Sequence, residues 1–111
     1  MTDNNPDVRK PLILIAEDVE SNYKLLEIIL KKEYDLLWAK NGKEAVEYAF
    51  AEHPDAVLMD VRMPVMGGLQ ATEKIRSMER ADAKTVSILA MTAQANAESS
   101  SECRKAGMND Y

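Results

Sequence analysis

The chain has one cysteine, one histidine and one tryptophan, and none of its apolar runs approaches the length of a membrane span. The single Cys103 cannot close an internal disulfide, which points to a reducing compartment. Its neighbours Arg104 and Lys105 favour a thiolate, but no His or Asp partner accompanies them, so Cys103 is expected to be inert. The only histidine, His53, stands before Pro54 and away from the acidic segments, so it reads as a solvated helix-end residue. The first residues lack the apolar core of a signal peptide. There is no internal repeat, no low-complexity tract, and neither a Walker-type nor a Gly-x-Gly-x-x-Gly sequence. Basic charge is in deficit: the net charge of −5 argues against a nucleic-acid-binding surface. The 111 residues suit one domain, and a hydrophobic share of 46% is enough for a core with little to spare. Residues 1–10 are polar, contain Pro6, and read as a loose leader or the end of a linker.

Acidic residues stand at the ends of apolar runs. Leu12-Ile13-Leu14-Ile15-Ala16 runs into Glu17-Asp18, and Ala56-Val57-Leu58-Met59 runs into Asp60. Such short apolar runs read as buried parallel strands. Open parallel sheets keep their ligand chemistry at the carboxyl ends of the strands. This spacing therefore gathers three carboxylates at one sheet edge. They repel one another unless a cation joins them, and a hard divalent ion such as Mg²⁺ is the simplest one.

Between these runs the pattern alternates β and α. A first helix is expected over 21–32, capped by Ser21, with Leu25, Leu26, Ile29 and Leu30 as its apolar stripe and Glu27–Lys31 as an i,i+4 pair. A second strand covers 35–39, where Trp38 reads as packing. Asn41-Gly42 turns into a second helix with Ala45, Val46, Ala49 and Phe50 facing inward, and Pro54-Asp55 ends it. The segment 61–68, with Pro64 and a glycine pair, is a shaped loop. A third helix over 69–79 sets Leu69, Thr72 and Ile75 on one side. A fourth strand covers 86–91, and a weak, serine-rich fourth helix covers 96–106, stopped by Gly107. The result is a parallel sheet with helices on both faces.

These residues resemble the receiver (phosphoacceptor) domain of two-component response regulators. The likeness rests on Glu17-Asp18, Asp60, the Met63-Pro64-x-Met66-Gly67-Gly68 loop, Thr92-Ala93 and the Gly107-Met108-Asn109-Asp110-Tyr111 segment, in order and each at its strand end. It spans about 11–111. The style of the 16–22, 88–93 and 106–111 segments is similar to receivers fused to hybrid sensor kinases. The resemblance implies a flavodoxin-like α/β fold with strand order 2-1-3-4-5, here with the fifth strand and its following helix truncated.

It also implies a set of roles. Asp60 accepts a phosphoryl group from a phosphohistidine, on a histidine kinase or a histidine phosphotransfer domain. Asp18 ligates Mg²⁺ directly, Glu17 directly or through water, and Asp60 and the backbone carbonyl of Arg62 supply further oxygens. Thr92 hydrogen-bonds a phosphoryl oxygen once Asp60 is modified, Ala93 leaves the phosphate's path open, Arg62 and Gln94 flank the mouth, and Tyr111 is the aromatic switch residue. Expected partners exclude nucleic acid and membrane contact by this domain. The expected location is cytoplasmic, including the cytoplasmic part of a membrane-bound sensor kinase.

The family carries a lysine at the end of its fifth strand, a few residues beyond the position of Tyr111. Lys84 and Lys105 lie on other elements. The favoured expectation is that the sequence is part of a longer protein. A chain truly ending at Tyr111 would leave an apolar strand edge open and uncover part of the first helix's stripe, and is expected to be marginally stable or to associate, for instance as a homodimer. Two rival readings are a receiver-like binding module that is not phosphorylated, and a small enzyme or cofactor binder. The acidic Glu17-Asp18-Val19-Glu20 turn repels free phosphate, and Arg62 stands where an aspartate-based phosphatase would carry its general acid.

Overall fold

A computed structural model describes residues 10–61, 63, 65–78, 81–91 and 97–109. Four parallel strands, β1 (Leu12–Ala16), β2 (Asp35–Ala39), β3 (Ala56–Asp60) and β4 (Ser87–Met91), form one sheet in the order β2-β1-β3-β4. The helices are α1 (Glu20–Leu30), α2 (Gly42–Glu52), α3 (Gly68–Arg76), α4 (Ala81–Thr85) and α5 (Ala97–Ala106). This is the flavodoxin-like α/β arrangement, with four strands among the described residues. In register, Ala16 lies beside Ala39 and Met59, and Asp60 beside Met91. The carboxyl ends of β1 and β3 thus share one edge.

Strand alternation divides the core. Leu14, Ala16, Val57, Met59, Ile88 and Ala90 face α2, α3, α4 and α5, meeting Ala45, Ala49, Ala71, Ile75, Ala83 and Cys103. Ile13 and Ile15 face the other way and pack with Tyr23, Leu26 and Leu30 of α1 and with Trp38. Burial pushes the Cys103 thiol up, first by desolvation and then by the charge of Glu102, in line with an inert cysteine.

Several expectations are corrected. Ser21 does not cap α1: the helix starts at Glu20, which puts Ser21 inside the first turn, and Val19 at the N-cap has no side-chain oxygen to offer. The Val19 amide itself donates to the Glu17 carboxylate (3.2 Å). Of the expected stripe, Leu26 and Leu30 are partly buried beside the buried Tyr23, whereas Leu25 and Ile29, with Ile28, are 60–65% exposed, the uncovered part of the stripe expected without a fifth strand and helix. Tyr23 stacks on Trp38 (centroids 4.4 Å apart, planes within 4°), and that contact sets the helix's rotation. The ion pair on α1 is Lys24–Glu20 (3.4 Å), not the expected Glu27–Lys31; Lys31, at the C-cap, bonds Glu27 through the backbone instead, its N–H donating to the Glu27 carbonyl (2.9 Å).

On α2, Ala45 and Ala49 face inward as expected, but Phe50 is 64% exposed, standing about 100° around the helix from Ala49. Asn41 caps this helix by accepting the Glu44 amide (2.8 Å). The short α4 was not expected, and it moves the start of β4 to Ser87. Gly107 ends α5 at φ +109, where an added Cβ would meet Arg76 Cγ at 2.8 Å. The Arg76 guanidinium donates to Gly107 O (2.9 Å), Ala83 O (3.1 Å) and Asn109 Oδ1 (2.8 Å), tying α3, α4 and the end of α5 together. Asn109 in turn takes both backbone groups of Ile88 on the outer side of β4.

Candidate phosphoacceptor and metal site

Glu17 and Asp18 leave the end of β1 and Asp60 closes β3, so the shared edge brings the three carboxylates together. One ligand oxygen from each lies within 4.8 Å of the others. Their exposures differ: Glu17 is 5% exposed, Asp60 half-buried and Asp18 exposed. The cluster therefore runs from a buried carboxylate to an exposed one.

Burial pushes the Glu17 carboxyl up from its ordinary value, and the nearby Asp60 carboxylate pushes it further, by hydrogen bond and by charge. The Val19 amide and the Asn22 side chain oppose this by favouring the ionised form. An all-oxygen set with unrelieved like charge fits a hard divalent cation and does not fit a soft metal.

Backbone contacts fix the approach to Asp60. Gly68 donates to Val61 O (2.9 Å), and Val61 donates to Met91 O (3.2 Å). At Gly68 an added Cβ would clash with the Asp60 carbonyl oxygen and lie 2.9 Å from Met59 Cγ, so only glycine lets α3 start this close to β3. Gly42 likewise donates to Met66 O (2.9 Å), holding the loop against α2. Val65 stands at the loop's tip with φ +67, a costly conformation for a β-branched residue.

Of the predicted site residues, Glu17, Asp18 and Asp60 converge. Arg62, Thr92, Ala93, Gln94 and Tyr111 lie outside the described residues. Sequence reasoning missed Trp38, whose indole N–H donates to the Glu17 carbonyl (2.7 Å), and Asn22. The parallel pairing of 12–16 with 35–39 is the signal that would have placed Trp38 beside Glu17.

Residues 13–111 match the family model described as the response regulator receiver domain. The chain belongs to that family. The receiver is 34% identical over 105 residues to hybrid signal transduction histidine kinase I of Dictyostelium discoideum, covering 89% of this chain and 6% of that protein. It is 31% identical over 100 residues to the polar-differentiation response regulator DivK of Brucella ovis, covering 89% of this chain and 80% of DivK. The receiver thus spans about four fifths of a stand-alone regulator and a small fraction of the hybrid kinases.

Among solved structures, it is similar to the receiver domain of sensor histidine kinase PA1611 from Pseudomonas aeruginosa, which has a magnesium ion coordinated in its active-site cleft. The TM-score is 0.84 at 38% identity, over 93% of this chain and 84% of that one. Chemotaxis protein CheY4 of Vibrio cholerae, with TM-score 0.85 and 25% identity over 92% of this chain and 84% of that one, shares the fold.

Proposed function

We propose that this receiver is a phosphorylation-controlled signalling switch that takes a phosphoryl group onto Asp60 in a Mg²⁺-dependent reaction. The donor is a phosphohistidine on a histidine kinase or histidine phosphotransfer domain. The convergence of Glu17, Asp18 and Asp60 at the carboxyl ends of β1 and β3 carries this reading. Asp18, Asp60 and the Arg62 carbonyl hold the cation, with Glu17 direct or through water. Bound there, Mg²⁺ supplies the positive charge that offsets the incoming phosphoryl oxygens.

The Asp60 carboxylate is the nucleophile: its oxygen bonds to phosphorus as the bond from phosphorus to the imidazole nitrogen breaks. Asp60 stands half-buried at a strand end, and the close start of α3 at Gly68 fixes its backbone, which limits the positions its carboxylate can take. Thr92 hydrogen-bonds the phosphoryl group, Ala93 leaves its path open, and Arg62 and Gln94 control access of water to the acyl phosphate. Thr92 and Tyr111 pass the change on to α5 and the segment after it. Among the described residues no helix is long and apolar enough to cross a membrane. The reading places the domain in the cytoplasm, as a stand-alone regulator or within a hybrid kinase, the two kinds of protein found among its relatives.

The test is intact mass before and after incubation with Mg²⁺ and a small-molecule phosphodonor. One added phosphoryl group, absent without Mg²⁺ and absent in Asp60→Asn, is the expected result. No addition to a folded chain that carries the family's lysine would favour the binding-module reading instead.

A further inference from the structure

Glu17 is held by its backbone on both sides. Its N–H donates to Ala39 O (2.9 Å), which continues the pairing of β1 with β2. Its carbonyl accepts the Trp38 indole N–H (2.7 Å). The Glu17 carbonyl and the Asp18 amide belong to one planar peptide, so pinning that oxygen sets the direction in which both residues leave the turn. Trp38 is itself held: Tyr23 stacks on one side at 4.4 Å, and the Lys40 ammonium lies 5.1 Å from the ring centroid. The chain of contacts runs from α1 through β2 to the peptide joining two of the three clustered carboxylates.

We propose that Trp38 is a positioning residue for cation binding, holding the Glu17–Asp18 peptide so that both carboxylates converge with Asp60. The inference rests on the reading that this cluster binds Mg²⁺. Groups that orient metal ligands contribute to affinity without touching the metal. Phe at this position keeps a ring for Tyr23 but removes the donor, leaving the Glu17 carbonyl without it.

The experiment is calorimetric titration of Mg²⁺ into wild type, Trp38→Phe and Tyr23→Phe, with circular dichroism of each metal-free protein. The emission of Trp38, the only tryptophan, is followed in wild type. Losing one hydrogen bond should raise the Mg²⁺ Kd of Trp38→Phe roughly two- to tenfold. Tyr23→Phe, which keeps both ring and indole, should bind like wild type. Wild-type emission should change and saturate with the calorimetric Kd. A folded Trp38→Phe with wild-type affinity overturns the positioning role and leaves the cation site standing. Absence of Mg²⁺ binding by wild type overturns both. If Trp38→Phe fails to fold, the emission titration decides: a silent tryptophan during Mg²⁺ binding overturns the proposal.

Discussion

Gly68→Ala and Gly67→Ala are neighbouring additions of one methyl group with different expected outcomes. At Gly68 the new Cβ would run into the Asp60 carbonyl oxygen and approach Met59 Cγ to 2.9 Å. The first obstacle is backbone, so relief requires moving the start of α3 away from β3. Overpacking of this kind costs about 1–3 kcal/mol, and backbone opposition places Gly68→Ala near the upper figure. The better helix propensity of alanine returns at most about 1 kcal/mol. The net loss of about 2 kcal/mol corresponds to a melting point lower by roughly 9 °C for a domain of this size.

Gly67 differs: φ is −75, and its Cβ would meet Val61 O at 3.2 Å, a contact a small adjustment relieves. Reduced freedom of the unfolded chain then roughly cancels the contact, within about 0.5–1 kcal/mol. Denaturant melts of both variants, with the rate of phosphodonor labelling at Asp60, form the assay. Gly68→Ala should be the less stable by about 2 kcal/mol and, because its helix displaces the Asp60 backbone, the slower to label. Equal stabilities would refute the claim that the close approach of α3 sets the position of Asp60.

Two further outcomes follow from the same geometry. Glu17 has a raised carboxyl in the folded state, so between its ordinary value and the raised one the folded chain binds more protons than the unfolded chain. In metal-free protein its contribution to stability is therefore lost as pH rises through that window. Glu17→Gln should flatten this part of the profile, stabilise the metal-free domain at neutral pH and weaken Mg²⁺ binding, read by urea melts across pH and by calorimetry; an unchanged pH profile would contradict a Glu17 carboxyl raised by its burial and by Asp60 beside it. Val65 holds φ +67 while 78% exposed, so Val65→Asn should relieve backbone strain with little loss of burial. It should stabilise by about 1 kcal/mol, seen as a higher denaturant midpoint at unchanged slope; no gain would count against strain at the loop tip.

The sheet and its acidic edge were legible because both depend on local signals of matching kind. Ile13, Ile15, Val57 and Met59 lie in apolar runs too short for helices, and each run stops at a carboxylate; parallel pairing then brings those stops together. Helix faces were less legible, because a face is chosen by what it meets. Leu25 and Ile29 look as apolar as Leu26 and Leu30, and nothing within α1 says which pair meets the sheet. The choice is made by Tyr23 meeting Trp38, fifteen positions away in the chain and on a different element. Phe50 fails the same way: the small Ala45 and Ala49, not the largest side chain, fit the closely packed side of α2. The missed α4 is five residues long, too short for a helical period to show. The same long-range contact hid the structural role of Trp38: a tryptophan in an apolar strand reads as packing. Only the register that sets 35–39 against 12–16 reveals that its polar N–H reaches the peptide from which the metal-site carboxylates leave.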